Sequence, residues 1–329
     1  MRVNQILIKI LQNILSKLIG NSKNQNKWFP KVIIFSIVFF SFASLVVLAY
    51  QNKEKLLNFN WNINYGSILI GILFYTISIL FAVAIWKKLM DFCDLRFSYW
   101  QNFSNYCISN LGKRIPGSFW YIPLRVRQYE KIYKNRNSII YISLIEYVGI
   151  FLSSVIVSIF FAPSFYKKFP YILVIAIIFS LFLLAITINP KIKKKTLEFL
   201  KVIEPIKFEP SLLKIIFGYF ILRIIGGISM FFIIDSIVNL PINYIFYIIG
   251  CWAILGLWNL FLFFSPTNWG LTELALTVLL TSIMPTSIAV FVSFYVRFFF
   301  IILEILFVMV IIGIININNA LREKDIFRK

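Results

Sequence analysis

Residues 110–131, NLGKRIPGSFWYIPLRVRQYEK, interrupt a chain that is otherwise written in long apolar runs. The stretch sets Gly112, Pro116, Gly117 and Pro123 among the cations Lys113, Arg114, Arg125 and Arg127. Its centre, IPGSFWYIPL, is apolar enough to enter a bilayer, but its prolines and glycines prevent it from crossing as one plain helix. Broken backbone at membrane depth persists only where protein or a water-filled cavity satisfies its polar groups. The stretch therefore reads as a re-entrant element approaching from the cytoplasmic side, with its cations at a cavity mouth. The plainer reading is an interfacial loop whose Lys and Arg only fix topology.

The flanking sequence decides the solvent. The chain is 60% hydrophobic, with 36 Phe, and its mean hydropathy is +0.84. Soluble domains have about 45–50% apolar residues and lack such runs. Apolar runs fall at 31–50, 65–86, 138–162, 169–188, 212–234, 242–264 and 289–315. A shorter one at 271–284 is below the ~20 residues of an ordinary spanning helix. The expected fold is all-α: a polytopic transmembrane bundle with two broken elements.

Charge sets the expected orientation. The net charge of +20 lies in the loops, where it orients spans and attracts anionic headgroups rather than nucleic acid. Cations crowd the N-terminal tail, the connection after the second run and the loop after the fourth. The intervening loops carry few or none, which places the N-terminus in the cytoplasm. The C-terminal LREKDIFRK is also cytoplasmic in character. Both ends lie inside only if 271–284 crosses, giving eight crossings, with seven as the alternative. Residues 3–18 place apolar side chains at i, i+3, i+4, i+7 spacing, as in a basic helix lying on the inner headgroup layer. The domain reading is 1–27 for this segment, 28–318 for the transmembrane domain and 319–329 for a cytoplasmic tail in a cell membrane.

Some chemistry is excluded. The chain has no His and three Cys, so His-based acid–base work and His-ligated metal sites are absent. Cys93, Cys107 and Cys251 show no metal or disulfide spacing. No Walker loop appears. No cofactor is expected, and the chain reads as transporter-like rather than catalytic.

A second break occurs at 263–285, FFSPTNWGLTELALTVLLTSIMP. Pro266 and Gly270 interrupt an apolar stretch, and Glu273 falls in the first turn of the following helix, where the helix dipole favours a carboxylate. Within the runs lie Glu146, Arg223, Arg297 and Glu304. Charges there face a bundle interior or an aqueous path. Arg223 and Glu304 read as structural, and Glu146 and Arg297 as site residues. The breaks also correspond: Glu146 lies 30 residues past Pro116, and Arg297 lies 31 past Pro266. Paired interruptions point to a transporter site at a repeat interface, where Glu146 and Arg297 would approach each other. Chance is the competing reading of this short match.

In order and spacing, GKRIPGSFWYIPLRVRQYEK (112–131), SLIEYVGIFLSS (143–154), SPTNWGLTELAL (265–276) and YVRFFFIILEIL (295–306) resemble the lysylphosphatidylglycerol synthase transmembrane-region family. These are flippase-like integral membrane proteins. Thr267, Asn268 and Thr272 depart from the Gly and Arg positions of the family element, and the soluble aminoacyl-transferase domain is absent. The resemblance implies lipid translocation, or an accessory role beside glycosyltransferases in cell-surface glycan assembly. The expected partner is an anionic phospholipid or a polyprenyl-linked glycan. Lys113, Arg114, Arg125 and Arg127 would collect the headgroup. Pro116, Gly117, Pro266 and Gly270 would shape the breaks. Glu146, Glu273 and Arg297 would line the path. A membrane scaffold is the second reading. A polyprenyl-phosphate-sugar glycosyltransferase using Glu54 is the third.

Overall fold

The computed structural model describes scattered positions between 40 and 59, then 61–92, 95–114, 121–130, 136–189, 212–261 and 270–326. The amphipathic segment at 3–18 and most of the 31–50 run lie outside the described residues. Every regular element among the described residues is helical. In chain order these are α1 (Tyr65–Phe92), α2 (Tyr99–Asn110), a 3-10 turn (Leu111–Arg114), α3 (Tyr121–Glu130) and α4 (Arg136–Phe161). There follow α5 (Pro163–Lys168), α6 (Pro170–Ile188), α7 (Leu212–Val238), a second 3-10 turn (Ile242–Tyr244), α8 (Ile245–Phe261), α9 (Leu271–Leu280) and α10 (Thr286–Ile326).

Among the described residues, five segments are long and apolar enough to cross a membrane: Tyr65–Phe92, Arg136–Phe161, Leu213–Val238, Ile242–Asn259 and Thr286–Ile314. They coincide with five of the sequence runs. Pro163 and Pro170 start α5 and α6 at first-turn positions, where the missing N–H has no helical partner to lose. The last helix continues past its apolar run and takes in 319–326, part of the expected tail.

The interrupted regions fold as half-length helices. At 1.5 Å per residue, α2, α3 and α9 are roughly 18, 15 and 15 Å long, against a hydrocarbon core of about 30 Å. Helix α2 went unforeseen from the sequence, although Ser98 and Gln101 form a capping box at its start. The Gln101 N–H donates to Ser98 Oγ at 3.2 Å, and the Ser98 N–H donates to Gln101 Oε1 at 3.0 Å. Helix α2 packs on α3, making a short hairpin. Gly112 permits its closeness: a Cβ there would lie 2.8 Å from the Tyr121 Cα and N. Pro123 falls in the first turn of α3, so this proline belongs to a helix start rather than to the break.

The bundle packs around α7, which contacts α1, α4 and α8. Small residues set these contacts, as bilayer helix packing requires. A Cβ on Gly149 would meet Tyr219 and Ile215, and one on Gly227 would meet the Ile249 Cα at 2.6 Å. Helix α9 packs on α10 and α8.

Candidate functional site

Both interrupted regions contribute a buried ion pair. In the first half, Arg125 on α3 pairs with Glu146 on α4, and the two side chains are 0% and 1% exposed. The Arg125 Nε donates to Ser109 Oγ and its Nη2 to Asn110 Oδ1, both at 3.3 Å. Tyr106 OH donates to the other Glu146 oxygen at 3.2 Å. The guanidinium lies 4.0 Å from the Trp86 ring centroid and 4.7 Å from that of Tyr106, within cation–π range. Burial by itself would lower the Arg125 pKa. The Glu146 carboxylate, with Tyr121, Tyr106 and Tyr129, more than offsets this and keeps the guanidinium charged.

A polar chain braces the same corner. Trp86 Nε1 donates to Tyr129 OH at 2.8 Å, and Tyr129 OH donates to Asn102 Oδ1 at 2.8 Å. Arg125 thus fastens α1, α2, α3 and α4 together and is no freely accessible vestibule cation. Arg127, two residues on, is exposed.

In the second half the order of charge is reversed. Gly270 takes φ 83°, a left-handed value open to glycine, and begins α9. Its N–H donates to Glu273 Oε2 at 2.8 Å, while Glu273 Oε1 lies 3.3 Å from Arg297 Nε on α10. Glu273 is 2% exposed. One carboxylate therefore caps the half-helix and holds the long one.

Described residues from both halves line a common cavity of about 320 Å³. Its charged lining is Lys113, Glu146, Arg223, Glu273, Arg297 and Glu304. Asn110 and Asn259 join them, together with Tyr106, Tyr147, Trp252 and Phe300. Glu146, Arg223 and Arg297 fall 10 to 11 residues into their helices, roughly 15–16 Å along the axis and near the middle of a span. Glu146 and Arg297 share this wall, and Glu146 forms an ion pair with Arg125 and Arg297 one with Glu273. Lys113 lies over the Tyr121 ring at 4.9 Å.

Sequence reasoning placed four residues on this wall: Lys113, Glu146, Glu273 and Arg297. Gly270 is buried beside it. Arg114 belongs to the 3-10 turn by its backbone, and its side chain lies outside the described residues. Pro116, Gly117 and Pro266 lie outside them too. The wall also contains Arg223 and Glu304, which from sequence alone read as structural charges. Their signal was available: each is a charge in the middle of an apolar run. Among the described residues, no cluster of His, Cys, Asp and Glu has the makings of a metal site. No protein-family model matches this chain, and comparisons with curated proteins and with solved structures give no match.

Proposed function

We propose that this chain is a flippase-like integral membrane protein of the cell membrane that moves or handles an anionic lipid or lipid-linked glycan in envelope or polysaccharide assembly. The observation that carries the reading is the common cavity. Charged groups are expensive in hydrocarbon and gather around polar paths. Here six of them line one cavity among the described residues: Lys113 and Glu273 from the two interrupted regions, Glu146, Arg223 and Arg297 at mid-helix positions, and Glu304 further along α10. Transporter sites form where half-helices meet near the bilayer midplane. The half-length α2, α3 and α9 support the re-entrant reading of the two breaks. Eight crossings with both termini cytoplasmic complete the proposal on the strength of the loop charges.

Native mass spectrometry of the purified protein tests it. The reading expects a retained anionic lipid that is depleted in Glu273→Gln and Arg297→Gln but kept in Lys167→Gln, at an exposed cation outside the cavity wall. Retention of zwitterionic lipid alone, equal in all three variants, contradicts it.

A further inference from the structure

Among the charged residues on the cavity wall, Arg223 differs from the other guanidinium. Arg297 has the Glu273 carboxylate beside it, and behind the wall Arg125 has Glu146. Among the described residues no carboxylate lies within ion-pair distance of Arg223, although it stands in the middle of α7. A charge at that depth is retained where it has a partner or a task.

Gly256 makes the room for it. A Cβ at this position would stand 2.5 Å from the Arg223 Cζ and 2.7 Å from its Nη1, so the guanidinium lies directly against the α8 backbone. One turn further along α8 is Asn259, also on the wall. Thr272 Oγ1 donates to Asn259 Oδ1 at 3.2 Å, which leaves the Asn259 amide NH₂ as a donor for another acceptor. A guanidinium and an amide NH₂ one turn apart form a donor set suited to a tetrahedral oxyanion.

Charge and size agree with this. The wall residues with Arg125 comprise four cations (Lys113, Arg125, Arg223, Arg297) and three carboxylates (Glu146, Glu273, Glu304). The balance favours one negative charge. A volume of about 320 Å³ is at the low end of small-ligand pockets, about 300–1,000 Å³. It accommodates one small headgroup and not a chain of sugars.

We infer that Arg223, seated on Gly256 and assisted by Asn259, is the subsite for the phosphate group of a single small phosphate-bearing ligand. The inference rests on the reading of the cavity as a headgroup site and narrows its ligand to a phosphate. That phosphate reaches the cavity either on a lipid or as the free ion, and the probes below distinguish the two.

The test is isothermal titration of the full chain in neutral detergent with three probes: dihexanoylphosphatidylglycerol, inorganic phosphate and phosphate-free dihexanoylglycerol. Wild type is expected to bind the first and ignore the third. Arg223→Gln should weaken phosphate-dependent binding by about tenfold or more, and Arg223→Lys by less. Gly256→Ala should weaken it too, because the methyl displaces the guanidinium. Lys167→Gln, at an exposed cation outside the cavity wall, should bind as wild type. Binding of inorganic phosphate with the same Arg223 dependence assigns the free ion, and binding of the lipid alone assigns the headgroup.

If Arg223→Gln binds phosphatidylglycerol as wild type does, this inference falls and the broader reading stands. If wild type binds neither phosphate probe, both fall. Should Arg223→Gln fail to fold, Arg223→Lys and Gly256→Ala carry the comparison. Wild-type binding in both then overturns the subsite.

Discussion

Glu273 Oε1 lies 3.3 Å from Arg297 Nε, and the same carboxylate receives the Gly270 N–H through Oε2 at 2.8 Å. The side chain thereby fixes the start of α9 and its angle to α10. Glu273→Ala removes both contacts. Glu273→Gln keeps an oxygen for the Gly270 N–H and loses only the charge. Thermal unfolding in detergent should therefore rank wild type above Gln above Ala. The Ala variant should lose about 1–2 kcal/mol beyond Gln, the size of a lost cap. Equal loss in the two would show that capping contributes nothing.

The Arg125–Glu146 pair predicts a larger and non-additive effect. Removing one partner leaves the other charge buried, which costs about 3–5 kcal/mol. Glu146→Gln and Arg125→Met should each lower Tm sharply. The double variant should be less destabilised than the sum of the two, because neither charge is left behind. Additive losses would mean that the two side chains act independently.

Arg223 should show the opposite sign. A cation held in an apolar helix for binding is a stability burden, so Arg223→Met should raise stability by about 0.5–2 kcal/mol while abolishing phosphate binding. A fall in Tm would identify Arg223 as a packing residue.

Cys107 gives a pH test. Burial, and after it the Glu304 charge, push its thiol up to about 12. A folded-state value above the unfolded one means that the folded protein holds the proton more tightly. The associated stability is therefore complete below an unfolded thiol pKa of about 8.5 and is lost as pH rises from there toward the folded value. Wild type should lose more Tm than Cys107→Ala between pH 8 and pH 10.5. In native protein at pH 8, Cys107 should resist maleimide until denaturant is added. Rapid native labelling would contradict its neutral, buried state.

The apolar runs made legible the five described helices that are long and apolar enough to cross a membrane, because a bilayer demands long helices and leaves a strong hydropathy signal. Helix α2 was less legible. SYWQNFSNYCISN (98–110) is too polar and short to read as a span, and only its Ser98–Gln101 cap announces it. At the site, single charges in apolar runs were visible, but their partners were not. Glu146 meets Arg125, 21 residues earlier, and Arg297 meets Glu273 on a different helix. Such choices depend on helix rotation and tilt, which packing decides. The same holds for Arg223: its seat on Gly256 exists only once α7 and α8 are side by side.

The central claim is that both halves serve one headgroup path. Its most direct measurement is translocation of fluorescent phosphatidylglycerol in proteoliposomes, read by dithionite quenching. Wild type should expose inner-leaflet probe to quenching. Glu273→Gln, Arg297→Gln and Arg223→Gln should each slow this by about tenfold, the effect of losing one charge-assisted contact. Lys167→Gln should match wild type. Wild-type vesicles that quench no faster than protein-free ones, or equal rates in all variants, would contradict the account.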